Sequence, residues 1–133
     1  MENCIFCKIA SGEIPGRTIA ETKNFRVVLD VAPATEGHVL IIPKAHYANL
    51  YELPEDLGAE AMKLAKEVAL RMKERLNCAG VNLVQNNEAA AGQTVFHFHM
   101  HVIPRYKEDG QRIGWNPTQL PPEELDRIQG ILL

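Results

Sequence analysis

The chain has 133 residues, a length that points to one domain, and 46% of them are apolar, enough to bury a single core. Its net charge of −3 is spread with both signs and no basic run, which disfavours nucleic-acid binding, and no apolar stretch approaches the roughly 20 residues that span a bilayer. The opening stretch MENCIFCKIASGEIP lacks the basic and long apolar regions of a secretory signal, so a cytoplasmic protein with no membrane partner is expected.

In chain order, the first chemical signal is Cys4-x-x-Cys7. With three cysteines in a cytosolic-looking chain, a disulfide framework is disfavoured. The spacing suits half of a zinc site or a redox pair, and two small apolar residues near a terminus would look the same. RTIAET at 17–22 is a weak strand candidate, while NFRVVLD at 24–30 and GHVLIIP at 37–43 read as strands. The last is a continuous apolar run and is expected to be central and buried. Between those two strands, VAPATEG carries the turn signals Pro33 and Gly37.

A long helix is predicted over about 54–76. Pro54, Glu55 and Asp56 suit its first turn, and Leu57, Ala61, Leu64, Ala65, Val68, Ala69, Met72 and Leu76 form one apolar stripe. VNLVQN at 81–86 reads as a strand, NEAAAGQT at 87–94 as a loop, and VFHFHMHVIP at 95–104 as a strand ended by Pro104. A short helix from about 121 closes an irregular, Pro-rich tail over 108–133. Few strands alternate with helices, so the expected class is α+β, with an antiparallel sheet of about five strands.

HFHMH at 97–101 holds three of the five histidines. On a strand, His97, His99 and His101 share one face, while Phe96, Phe98, Met100 and Val102 face the core. Neighbouring histidines then lie roughly 6.5–7 Å apart and the outer two roughly 13 Å apart. Two of them are close enough to share a metal, but three on one straight strand hardly reach a single ion. A polar strand face is more often Lys, Thr or Glu, so three imidazoles point to catalysis. Neutral imidazole is a nucleophile and base near neutral pH, and His99 has an imidazole on either side. In the preceding loop, Gly92 permits close approach of backbone N–H groups, and Gln93 and Thr94 add donors, which suits a phosphate beside His99.

The run His97-Phe98-His99-Met100-His101-Val102-Ile103 resembles the signature of the histidine triad (HIT) family. The likeness extends from CIFCKI through GHVLIIPKAH to AGQTVFHFHMHVIPR and fades after about residue 108. It implies the HIT fold and a nucleotide hydrolase or transferase acting at an α-phosphate without a metal in the chemical step. His99 would be the nucleophile, forming a nucleotidyl-histidine intermediate. His38 and His101 would hold the phosphate, and Thr94 would sit near the leaving group. Asp30 would take the ribose hydroxyls, although a turn cap at a strand end would look the same. Ile5, Phe6, Ile9, Val28 and Val31 match the slot for the base, and plain core packing also accounts for such residues.

Asn86, six residues before Gly92, resembles the Hint-like branch, where Fhit-like dinucleoside polyphosphate hydrolases carry Gln. The resemblance therefore implies release of AMP from purine nucleoside phosphoramidates or adenylates. Dinucleoside polyphosphate hydrolysis and a nucleotide-binding interaction role are the alternatives. It also implies a structural zinc on Cys4, Cys7, His46 and His97, and a homodimer whose sheets join.

Overall fold

The computed structural model describes residues 3–133. It contains helix α1 (Ile5–Ser11), strands β1 (Thr18–Glu21), β2 (Phe25–Leu29) and β3 (Val39–Pro43), and the long helix α2 (Glu55–Arg75). Strand β4 (Gly80–Val84), a short 3-10 turn (Ala89–Ala91), strand β5 (Met100–Arg105) and helix α3 (Pro122–Leu132) complete it. The strands form one five-stranded sheet in the order β1-β2-β3-β5-β4, and every neighbouring pair is antiparallel. The expected α+β class, strand number, long helix and short terminal helix are all present. Among the described residues, no helix is long and apolar enough to cross a membrane.

Strand β3 is central, and all five of its residues are buried, as its unbroken apolar run demands. One face of the sheet carries Val27, Val39, Ile41, Phe98 and Val102 against Ala61, Leu64, Ala65, Val68 and Met72 of α2. The Val, Leu, Ile, Phe and Met side chains among them contribute roughly 1.5–3 kcal/mol each when fully buried. The other face carries Val28, Leu40 and Ile42 beneath Phe6, Ile9 and Ala10 of α1. Entry into β3 passes through Gly37 at φ 98°, where an added Cβ would stand 2.4 Å from Cδ1 of Leu76. A side chain there would be strained by the left-handed conformation and would have to displace Leu76, and the turn places His38 just before the strand.

Two elements differ from expectation. No element is predicted from the sequence at 5–11, yet α1 forms there. Cys4 caps it, its Sγ accepting the Cys7 N–H at 3.3 Å, and Gly12 ends it at φ 86° with its N–H on the Ile9 carbonyl. The second difference concerns β5, which starts at Met100 rather than at Val95. The chain at 95–99 leaves the ladder, and the Phe98 N–H instead bonds the Tyr47 carbonyl at 2.6 Å. Alternation holds from Phe98 onward, but Phe96, expected in the core, is 52% exposed. No partner strand imposes the pleat at that position.

Candidate active site and metal cluster

Four elements converge on the α1 face of the sheet. The stretch before β5 and β5 itself supply His97, His99 and His101. The step into β3 supplies His38, the end of β2 supplies Asp30, and α1 supplies Phe6. Neighbouring imidazoles face one another, with ring centroids of His99 and His101 5.1 Å apart. Phe6 stands edge-on to His99 at 4.7 Å.

Hydrogen bonds assign the protons. Nδ1 of His99 lies 2.8 Å from the His97 carbonyl, which can only accept, so Nδ1 carries the hydrogen and Nε2 keeps a lone pair. Nδ1 of His38 accepts the Ala34 N–H at 2.9 Å, so the neutral ring carries its hydrogen on Nε2. That Nε2–H donates to Nδ1 of His101 at 2.9 Å, which leaves the His101 hydrogen on its own Nε2. Burial disfavours the charged form of all three rings, pushing His38 and His99 down and His101 to about 4. At neutral pH the site therefore holds a free nucleophilic nitrogen beside an imidazole N–H donor.

Asp30 lies at the edge of this group, its Oδ2 3.5 Å from Nε2 of His38. Its Oδ1 also accepts the Ala32 N–H at 2.9 Å, so it caps the turn that follows β2. Asp30, His38 and His101 are near enough to one another to suggest a metal site. The proton assignment argues otherwise, because Nε2 of His38 carries a hydrogen and has no lone pair to give.

Cys4, Cys7, His46 and His97 form a second group and behave in the opposite way. His97 is fully buried, and its Nε2–H donates to the Pro43 carbonyl at 2.8 Å. The lone pair on its Nδ1 then meets Sγ of Cys4 at 3.3 Å, Sγ of Cys7 at 3.4 Å and Nδ1 of His46 at 3.2 Å. One lone pair cannot accept three hydrogen bonds. Tetrahedral ligands at roughly 2.0–2.3 Å from a zinc ion stand about 3.3–3.8 Å from each other, and the two-thiol, two-imidazole set suits that ion. Without a cation, burial and the neighbouring Cys4 push the Cys7 thiol up.

The remaining sequence-predicted residues divide. Ile5 is exposed, Phe6 and Ile9 are half-buried, and Val28 is buried beneath α1. Val31 is 93% exposed on the loop beyond Asp30. Gly92 sits at φ 96°, with the Asn86 amide 3.6 Å from where a Cβ would be. Gln93 is buried and engaged within the loop, its Oε1 taking the Glu88 N–H and its Nε2 bonding the Ala48 and Val95 carbonyls. It shapes the loop rather than offering a donor. Thr94 is exposed and lines an open cavity of about 780 Å³ with Ile5, His46, Val95 and Phe96. A groove of about 500 Å³ beside α2 contains no histidine or cysteine, and hence none of these nucleophiles or ligands. Sequence reasoning missed the backbone partners, namely the Ala34 N–H and the His97 and Pro43 carbonyls, because backbone groups leave no mark in residue type.

A small α+β protein with a four-histidine site on one sheet face is the class that these features define. The chain belongs to the HIT family, whose HIT domain model matches residues 11–108. It is 40% identical over 127 residues to an adenosine 5'-monophosphoramidase of Schizosaccharomyces pombe, covering 95% of this chain and 92% of that one. A solved HIT family protein from Bacillus anthracis superposes with a TM-score of 0.91 at 37% identity, covering 98% of this chain and 95% of that one. A Zn-bound histidine triad family protein from Mycobacterium smegmatis gives 0.80 at 38% identity, with 88% and 85% covered.

Proposed function

We propose that the protein attacks the α-phosphate of purine nucleoside phosphoramidates or adenylates and releases AMP. The observation that carries this reading is the His99 Nδ1–H held on the His97 carbonyl, which directs a free Nε2 lone pair outward as nucleophile. In the first step, an Nε2–phosphorus bond forms and the bond from phosphorus to the leaving group breaks. From a phosphoramidate the leaving amine takes a proton relayed from solvent through the Thr94 hydroxyl in this reading, a proton that the attacking water later returns to solvent, whereas an adenylate's carboxylate departs without one. The His101 Nε2–H, held in place by His38, meets the charge that develops on the phosphoryl oxygens. Water then attacks the nucleotidyl-histidine and frees AMP and neutral His99. Asp30 is assigned to the ribose hydroxyls, and Ile5, Phe6, Ile9, Val28 and Val31 to the base. The relative named as a phosphoramidase supports this choice of leaving group.

Cys4, Cys7, His46 and His97 would hold a structural zinc, which when bound would tie α1 to the loop after β3. All four positions are taken by protein, so none is left for substrate. We also propose a homodimer joined at β4. That strand is an edge of the sheet, and Leu83 on it is 45% exposed beside exposed Met62 of α2.

Turnover of adenosine phosphoramidate beside a diadenosine polyphosphate tests the reading. The phosphoramidate is expected to be cleaved faster, and His99→Ala to lose at least ~10³-fold in kcat. A faster dinucleotide reaction would move the chain to the polyphosphate hydrolases. AMP binding with no trappable nucleotidyl-enzyme would mark a binding protein instead.

A further inference from the structure

The Ala34 N–H fixes the tautomer of His38, yet Ala34 lies in an irregular loop between β2 and β3. That loop is held from the far side by the end of β5 and the segment that follows it. Oγ1 of Thr35 donates to the Pro104 carbonyl at 2.5 Å, the Tyr106 hydroxyl donates to the Glu36 carbonyl at 2.6 Å, and Nε2 of Gln111 donates to the Ala34 carbonyl at 2.9 Å. Three consecutive carbonyl or hydroxyl groups of the loop are thus tied to one strap.

The strap is itself built to hold its shape. Arg105 clasps Asp109 through two bonds of 2.9 Å, and its Nη2 also reaches the Gln111 carbonyl at 2.6 Å. The Asp109 carboxylate in turn accepts the backbone N–H groups of Tyr106 and Gln111 at 3.0 Å each. Charge-assisted, two-point bonds of this kind fix direction as well as distance. Gln111 is therefore presented to Ala34 at a set angle, although its side chain is at the surface.

We propose that Tyr106 and Gln111 are positioning residues for the hydrolysis. They clamp residues 34–36 so that the Ala34 N–H stays on Nδ1 of His38, which keeps the His38 hydrogen directed to His101 and the His101 hydrogen directed to substrate. This inference rests on the phosphoramidase reading above, and neither residue touches the reacting atoms. With the clamp released, Nδ1 of His38 loses its fixed donor and both tautomers become available. The His101 N–H is then aimed at substrate only part of the time.

The test uses the full chain with Tyr106→Phe, Gln111→Ala and the double variant, and with exposed Arg112→Ala as the control. Imidazole nitrogen chemical shifts, recorded without substrate, report the tautomers of His38 and His101. Wild type and R112A should show a single tautomer, with His38 protonated at Nε2, and the double variant a mixture. The kcat for phosphoramidate cleavage should fall about tenfold in the double variant with KM within about twofold, short of the roughly 10²-fold that a 1 Å misplacement can cost. Circular dichroism should match wild type in every variant, and the two single variants give smaller shifts of the same kind. Unchanged nitrogen shifts in the double variant overturn the proposal, whatever the rate does. Altered shifts with wild-type kcat overturn its catalytic part. An inactive wild type overturns the hydrolase reading instead, and the nitrogen shifts still decide whether the clamp sets the tautomer.

Discussion

At the scale of the residue, the proposed reaction depends on proton placement rather than on charge. His99 and His101 each have one nitrogen committed to a partner, and that commitment decides what the other nitrogen can do. In that reading His99, held on a carbonyl, is the nucleophile, whereas His101, which accepts from His38, is the donor. The pH dependence follows. Burial lowers the His99 pKa below its ordinary 6.5, and attack requires the neutral ring. We predict kcat/KM flat near pH 8, with an acid limb whose midpoint lies below 6.5. A rate profile in overlapping buffers checks this, and an acid limb centred above 6.5 would contradict the burial argument.

At the scale of the element, α1 is seven residues long, too short to stand alone. It is held by Ala10, Ile9 and Phe6 against the sheet and by the four-ligand cluster at its N-terminus. Metal analysis of protein purified without chelator should find about one zinc per chain, the count that one closed Cys2His2 site takes. Stripping that metal should lower Tm and free the Phe6 ring from His99. The expected signature is a several-degree fall in Tm, equivalent to about 1 kcal/mol or more in a domain of this size, with a rise in KM larger than any fall in kcat. Equal Tm with and without chelator would remove the metal from the account of α1.

At the scale of the whole molecule, two predictions concern stability and assembly. His97 and His101 are both lowered to about 4, chiefly by burial, while in the unfolded chain they titrate near 6.5. Between those values the unfolded state binds more protons, so stability is fully present above about 6.5 and is lost as pH falls toward 4. Thermal unfolding of metal-stripped protein should show Tm falling steadily from pH 7 to 5, and a flat Tm would show that these rings are solvated. For assembly, Leu83→Glu on the β4 edge should convert a dimer to a monomer in light scattering, since a buried charge at such an edge costs several kcal/mol. A wild-type monomer at micromolar concentration would refute the interface.

Much of this was legible in the residue order. Periodicity placed α2, and the continuous apolar run placed β3, because burial on one face or two writes itself into side-chain type. The His-φ-His-φ-His spacing marked the site, and Cys4-x-x-Cys7 marked half of the cluster. Helix α1 escaped because seven residues hold too few turns for a period to show. The start of β5 escaped because 95–99 alternates like a strand but bonds irregularly to the loop after β3. Phe96 was read inward on that pattern and lies outward, since pleat needs a partner strand as well as a sequence.

What residue order determined by itself is which chemical groups are present and which lie near one another along the chain. Only the tertiary structure decided which backbone partners orient the imidazoles of His38, His97 and His99. The deciding partners are the carbonyls of Pro43 and His97 and the N–H of Ala34, together with the strap that holds Ala34 from the end of β5. Backbone groups are the same in every residue but proline, so no reading of side chains foretells them. Their positions are a property of the folded chain, and they set which nitrogen carries the hydrogen in His38, His97 and His99 and, through His38, in His101.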